Sequence, residues 1–170
     1  MKDDPLVVLV DTREQKPFRF DAETHGATCV REHLPTGDYT ARGAEHLICI
    51  ERKGDVGDLA TCVGRERDRF ERELERMLGF QRRYLLMEFT LDTMLRWHPP
   101  AGTDGATDRS GRRIVGTHLV GSVLAWSSRF GVQPLWCGSR ALAAATLLKL
   151  LRFAVKDVRE GSGAVARVAT

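Results

Sequence analysis

The chain has 170 residues, enough for one hydrophobic core but not for a second large domain. Hydrophobic residues make up 42% of it and charged residues 29%, which is typical of a soluble globular protein. It contains neither an apolar run of about 18 residues nor a signal-peptide pattern at residues 1–4, so membrane insertion and secretion are not predicted. We therefore expect a cytoplasmic protein of a bacterial or phage-infected cell, or a nuclear one in a eukaryote.

The net charge of +3 is unevenly distributed. Residues 1–90 carry 15 Lys and Arg against 18 Asp and Glu, a net charge of −3, whereas residues 91–170 carry 11 against 5, a net charge of +6. An enzyme that acts on a polyanion needs cationic surface to hold phosphates near its metal-binding acids, and this division fits that need. A solvated surface alone could produce the same imbalance.

The first predicted element is a buried strand at residues 6–10, a continuous apolar run that ends at Asp11. A second strand is predicted at 27–34, followed by a hairpin with strands at 38–41 and 46–53. In this hairpin Asp38 and Glu51 are about equidistant from the turn, which places them opposite each other or one step apart.

Facing side chains of such strands have Cβ atoms only ~5 Å apart, so two carboxylates there repel unless a proton or a cation lies between them. Mg²⁺ or Mn²⁺ suits these oxygen ligands, and Lys53, on the same face of the strand as Glu51, could position or deprotonate a water molecule. The alternative is a surface hairpin with a solvated salt bridge.

The rest of the chain alternates helical and strand patterns. Helical spacing of apolar residues runs from 58 to 80, and the elements after it are a strand at 84–89, a short helix at 90–97, a helix at 117–130, a strand at 132–136 and a helix from 140 to about 156, with Ser139 as its candidate N-cap. We predict one α/β domain at 1–158, with a central mixed β-sheet that starts as an antiparallel meander and is flanked by helices, and a flexible tail at 159–170.

The only long segment without periodicity lies at 99–113. Such a loop inside a compact domain is usually functional or disordered. It ends in Arg109, Arg112 and Arg113, so it is either a mobile flap that contacts the phosphates of a nucleic acid or a passive insert.

Five short motifs occur in order: Val10-Asp11-Thr12-Arg13-Glu14, Gly37-Asp38-Tyr39, Ile50-Glu51-Arg52-Lys53, Asp58-Leu59 and Leu85-Leu86-Met87-Glu88-Phe89. This series resembles the nuclease domain of the XPF-type structure-specific endonucleases. That family has a restriction-endonuclease-like fold and a metal-dependent G-D…E-R-K-x-x-x-D site. The resemblance covers residues 6–89, and the remainder is compatible with smaller phage-type members.

The resemblance implies a metal-dependent DNA endonuclease that cleaves branched, flap or junction structures in replication, repair or recombination. It implies that Asp38 and Glu51 ligate Mg²⁺ or Mn²⁺, that Asp11 belongs to the same cluster, and that Lys53 orients the attacking water. Arg52 stays protonated and cannot act as a base, so we expect it to pair with an acid or a phosphate.

One spacing departs from the family pattern. The last Asp of the motif usually lies six residues after the Glu, whereas Asp58 lies seven after Glu51. This leaves Asp55 and Asp58 as alternatives; Asp58 is favoured because Leu59 follows it, as in the family, and because it could cap the next helix.

Four further charged residues have open roles. The family carries an Arg near the scissile phosphate on the helix after E-R-K, so Arg65 and Arg69 are candidate phosphate contacts, although most of that face is solvated. Glu14 could join the acidic cluster or pair with Arg13 or Lys16. Glu88 matches a family acid peripheral to the metal.

DNA is the expected partner, and a homodimer or a partner protein is left open. Two other functions compete with an active nuclease. The chain could be a non-catalytic nucleic-acid-binding module, or a nuclease subunit that needs a partner.

Overall fold

The apolar residues of the strands are divided between two cores. The computed structural model describes residues 4–100 and 107–161. On strand β4 (Ile48–Lys53), Cys49 packs into one core, whereas Ile48 and Ile50 pack into the other. Side chains alternate along a strand, so the two cores lie on opposite faces of one sheet.

The sheet has six strands in the order β2-β1-β3-β4-β5-β6. The other strands are β1 (Leu6–Asp11), β2 (Ala27–Glu32), β3 (Tyr39–Ala41), β5 (Arg82–Met87) and β6 (Gln133–Trp136). Only β3 runs antiparallel to its neighbours, β1 and β4; the pairs β1–β2, β4–β5 and β5–β6 are parallel.

Helices cover both faces of the sheet. They are α1 (Ala22–His25), α2 (Val56–Val63), α3 (Arg67–Met77), α4 (Leu91–Leu95), α5 (Gly116–Phe130) and α6 (Arg140–Arg159). Buried side chains of α2 to α5 belong to one core, and those of α6 belong to the other. Ser139 caps α6 as predicted, because its side chain accepts a hydrogen bond from the amide of Leu142. In the part of the chain that the structure describes, no helix combines the length and apolar character that crossing a membrane requires.

Two details of the predicted topology are wrong. The sheet does not begin as an antiparallel meander, because β1 and β2 are parallel. Their connection at 12–26 is long enough for a crossover and includes the short helix α1, which four residues of sequence were too few to indicate.

The predicted helical stretch from 58 to 80 is also two helices rather than one. It breaks at Gly64, where an added Cβ would lie 2.8 Å from the carbonyl oxygen of Thr107 and 2.9 Å from a methyl carbon of Ile114. Only glycine allows this close approach of the later segment.

The predicted tail begins inside the last turn of α6, which ends at Arg159, and residues 162–170 lie outside the described part of the chain. The predicted domain boundary at 158 stays a prediction.

The topology brings the ends of several strands to one edge of the sheet. Strands β1, β4 and β5 run in the same direction, so Asp11, Lys53 and Glu88 all lie at that edge. Asp38 joins them from the start of β3, which runs the opposite way.

Candidate active site

Asp38, just before β3, and Glu51, on β4, lie close together in one cavity. Tyr39 pairs with Ile50, Asp38 directly precedes Tyr39 and its amide donates to the carbonyl oxygen of Ile50 at 2.9 Å, and both Asp38 and Glu51 line one cavity. The amide of Arg52 donates a hydrogen bond to Asp38 Oδ2 at 2.8 Å. Burial, together with the charge of Glu51, raises the pKa of Asp38 well above its usual range. Burial also raises the pKa of Glu51, although Lys53 opposes this. The pair is therefore a place where a cation would relieve a strong repulsion.

Lys53 is a buried ammonium paired with Glu51. Its Nζ lies 2.8 Å from Glu51 Oε1 and 4.4 Å from the centre of the Phe70 ring. Burial acts to lower the pKa of Lys53, but the charge and hydrogen bond of Glu51, together with the nearby Cys62 and Asp38, outweigh it and the pKa is raised. In this arrangement Lys53 is protonated at neutral pH, so it acts as a hydrogen-bond donor and not as a base.

Asp55 and Asp58 occupy different positions at the start of α2. Asp55 is the N-cap, and its side chain accepts a hydrogen bond from the amide of Asp58 at 3.0 Å. The expectation that Asp58 caps this helix is therefore wrong. Asp58 lines the same cavity as Asp38 and Glu51, and Asp55 does not. Burial and the charge of Asp55 raise the pKa of Asp58.

Asp11 is not brought to this cavity. It is 1% exposed, and both of its carboxylate oxygens are occupied. Oδ1 accepts from the backbone and side chain of Arg13 at 2.8 and 2.6 Å, and Oδ2 accepts from the Leu34 amide at 2.8 Å. Within residues 4–100 and 107–161, no three His, Cys, Asp or Glu side chains are grouped closely enough to hold a metal ion. The predicted set of Asp11, Asp38 and Glu51 is thus not assembled, because Arg13 and the Leu34 amide saturate Asp11.

Arg52 is at the centre of a buried charge network. Its guanidinium donates two hydrogen bonds to Glu14, at 2.9 and 3.0 Å, and one to Glu88 at 2.7 Å. The pairing with acids expected for Arg52 is therefore present, and Glu14 pairs with Arg52 rather than with the side chain of Arg13 or Lys16. Burial raises the pKa of Glu14, but hydrogen bonds from Arg52 and from the Lys16 amide outweigh it, so the pKa is lowered.

The cavity between these residues has a volume of about 400 Å³. Its acids and cations come from four parts of the chain: Arg13, Glu14, Lys16, Asp38, Glu51, Arg52, Lys53, Asp58, Arg65, Glu66 and Arg69. Arg69 pairs with Glu66. Arg65 is exposed and forms no ion pair with any residue in the described ranges. Positive side chains therefore line the rim beside a group of buried acids.

The arginines of the predicted flap have different environments. Residues 107–113 form a small hairpin, with a bridge between Thr107 and Arg113. Arg109 pairs with Asp68 and lines a cavity of about 200 Å³ together with Arg65. Arg113 donates to the carbonyl oxygen of Pro99 at 2.9 Å, and Arg112 is exposed. The rest of the loop, residues 101–106, lies outside the described part of the chain.

Comparison with models of known protein families shows which family this chain belongs to. The family model of the ERCC4 domain matches residues 10–150. The chain belongs to the ERCC4 domain family. The resemblance to XPF-type nuclease domains seen in the five motifs is thereby confirmed. A comparison with curated protein sequences finds no significant match.

Two solved structures have the same fold as this ERCC4 domain. XPF from Aeropyrum pernix superposes with a TM-score of 0.60 and 20% identity, covering 91% of this chain and 69% of that one. XPF from Aeropyrum pernix in complex with DNA gives a TM-score of 0.59 and 22% identity, covering 89% and 66%. The likeness confirms the predicted restriction-endonuclease-like fold, a mixed sheet flanked by helices. The chain spans about two thirds of the length of these relatives.

Six residues that line the cavity of this ERCC4 domain were not predicted as site residues: Arg13, Gln15, Lys16, Thr61, Cys62 and Glu66. Gln15 and Lys16 follow β1 in a loop, a usual place for binding residues, and that position is the one signal that could have indicated them. Thr61 and Cys62 lie in α2 within an apolar pattern, which gave no such signal.

Proposed function

We propose that this ERCC4 domain is a metal-dependent DNA endonuclease that hydrolyses phosphodiester bonds. The observation that carries the proposal is the Asp38–Glu51 pair, which faces a cavity open to solvent with Lys53 beside it and arginines on the rim. Membership of the ERCC4 family and the XPF-like fold support this assignment.

Mg²⁺ or Mn²⁺ is the cofactor that fits these residues. Asp38 and Glu51 offer carboxylate oxygens, the ligands that hard divalent cations prefer, and Asp58 lines the same cavity. A bound cation would lower the raised pKa values of Asp38 and Glu51 and would stabilise the charge that develops on the phosphate during hydrolysis. Asp11 contributes by fixing Arg13 and the Leu34 amide rather than by ligation.

Lys53 orients the attacking water. An ammonium has three donors; one is directed at Glu51 Oε1 and Nζ also contacts the Phe70 ring, so a remaining donor can bind a water molecule or a phosphate oxygen in the cavity. Hydrolysis adds the water oxygen to phosphorus and breaks the bond to a sugar oxygen, which takes up a proton. Arg52 is enclosed by Glu14 and Glu88, so it fixes the end of β4 instead of contacting DNA.

DNA phosphates bind along the cationic rim. Arg65 and Arg69 line the cavity, and Arg109 lies beside Arg65 in the adjoining one. Arginines bind phosphates without reading sequence, which suits an enzyme that recognises a DNA structure. We propose Arg112 and Arg113 as outer contacts of the same path. A preference for branched, flap or junction DNA in replication, repair or recombination follows from the family resemblance.

The two alternatives make different predictions. In a non-catalytic DNA-binding module the buried carboxylate pair would have no function, so its retention favours catalysis. A subunit that needs a second copy or a partner protein would have the same site but would cleave only in that assembly.

The test is cleavage of flap, branched, duplex and single-stranded DNA with Mg²⁺, Mn²⁺ or EDTA. Asp38→Asn and Glu51→Gln keep side-chain size and remove ligand charge, so each is expected to reduce cleavage by at least about 10²-fold without unfolding the protein. Asp92→Asn is the matched control, because Asp92 is exposed and pairs with the exposed Arg96. Undiminished cleavage in both site variants would refute the assignment. If the wild-type protein, tested by itself at high concentration, binds DNA without cleaving it, a binding module or a subunit that needs a partner is favoured.

A further inference from the structure

Arg140, in the first turn of α6, makes three hydrogen bonds across the edge of the site. Its guanidinium donates to Glu88 Oε1 at 2.9 Å, and to the backbone carbonyl oxygens of Lys16 at 3.0 Å and Pro17 at 2.9 Å. Its Cζ also lies 4.7 Å from the centre of the Phe18 ring. A planar guanidinium can make these contacts together, whereas an ammonium cannot reproduce the forked geometry.

The backbone that Arg140 binds belongs to the segment 13–20, which has no helix or strand. This segment forms one side of the cavity through Arg13, Glu14, Gln15 and Lys16. Without a ladder of backbone hydrogen bonds, its position depends on contacts from elsewhere in the fold. The carbonyl groups at its middle are bound from α6, far away in sequence.

Arg140 is also connected to the buried network beneath the cavity. Glu88 Oε1 accepts a hydrogen bond from Arg52 as well as from Arg140. The Arg52 guanidinium lies 5.7 Å from the Phe18 ring centre, so both guanidinium groups contact the same ring. Loss of Arg140 would thus release the segment and alter the environment of Arg52, which adjoins Glu51 and Lys53 in β4.

We propose that Arg140 is a positioning residue, which holds segment 13–20 in place as one side of the cavity. This inference rests on the proposed nuclease function, since it assigns that cavity to the reaction. Arg140 acts through Glu88 and the carbonyl groups of Lys16 and Pro17, without contact with the reacting phosphate.

The test compares Arg140→Gln and Arg140→Lys with Arg152→Gln. Arg152 is a matched control, because it also lies on α6 and its guanidinium donates to a backbone carbonyl, that of His25 at the end of α1, outside segment 13–20. Hydrogen–deuterium exchange of the free protein measures the order of segment 13–20, and steady-state cleavage measures kcat and KM. We expect both Arg140 variants to exchange about tenfold faster in this segment and to lose about 10- to 100-fold in kcat, because small displacements in an active site have effects of this size. The Arg152 variant should match the wild type in both.

Three results would overturn the proposal. Full rescue by Lys would show that only a positive charge opposite Glu88 matters. Faster exchange over the whole chain would show a general loss of stability, and Arg140 variants that behave like the Arg152 variant would show no role. A wild-type protein that cleaves no DNA would refute the nuclease function alone, and the exchange rates would still decide whether Arg140 fixes the segment.

Discussion

Replacing Glu14 by Gln tests how much the buried network of Glu14, Arg52 and Glu88 stabilises the folded protein. The side chains of Glu14 and Arg52 are 6% and 8% exposed and are joined by two hydrogen bonds. Breaking a buried ion pair by removing one partner costs about 3–5 kcal/mol. Arg52 keeps Glu88 as a partner, and the Gln amide oxygen can still accept one hydrogen bond, so we expect a loss of about 2 kcal/mol in the free energy of unfolding.

The pH dependence of this loss has a definite sign. The pKa of Glu14 in the folded protein is lowered from the ordinary value of 4.5. A carboxyl group of this kind contributes stability that is fully present above the unfolded-state pKa and is lost as pH falls through the folded-state pKa. The difference between wild type and Glu14→Gln should therefore be largest near neutral pH and should shrink below about pH 4.5.

Urea unfolding at a series of pH values measures this difference. Asp92→Asn is the control, because the Asp92–Arg96 pair is 69% and 79% exposed, and such pairs typically contribute less than about 1 kcal/mol. If Glu14→Gln costs no more than this control at neutral pH, or if its cost grows as pH falls, the Glu14–Arg52 ion pair does not stabilise the folded protein.

Three further predictions follow from the geometry. Asp58→Asn should reduce cleavage at least about tenfold more than Asp55→Asn, which should leave the unfolding free energy nearly unchanged because Asn caps a helix as well as Asp does. The reverse ranking in cleavage assays would assign the site role to Asp55. Gly64→Ala should lower the free energy of unfolding, measured in urea, by about 1–3 kcal/mol, because the added Cβ would meet Thr107 and Ile114. Gly121→Ala is the control: a Cβ there has no atom within 4 Å, so this change should be neutral or stabilising. Arg65→Ala should make the negative slope of log affinity for duplex DNA against log salt concentration shallower by about 0.9. Fluorescence anisotropy at several salt concentrations measures this slope, and an unchanged slope would exclude Arg65 from the phosphate path.

Local patterns in the sequence were enough to predict the elements that depend on near neighbours. The apolar run before Asp11, the antiparallel hairpin of β3 and β4, and the cap at Ser139 are all present. Each of these depends on residues close in sequence, because strand alternation, turn length and helix capping are short-range effects. The order of the acidic and E-R-K motifs also indicated the family without any knowledge of the tertiary contacts.

Other features of the site depend on contacts between residues that are far apart in sequence. Arg52 binds Glu14 and Glu88, which lie 38 and 36 residues away, and no local pattern specifies such partners. The Asp11 carboxylate accepts hydrogen bonds from Arg13 and from the Leu34 amide, because the segment after β2 passes the end of β1. Sequence spacing left Asp55 and Asp58 as alternatives; in the folded chain Asp55 caps α2 and Asp58 lines the cavity. The physical reason is that the free energy of these contacts depends on which surfaces the complete fold brings together.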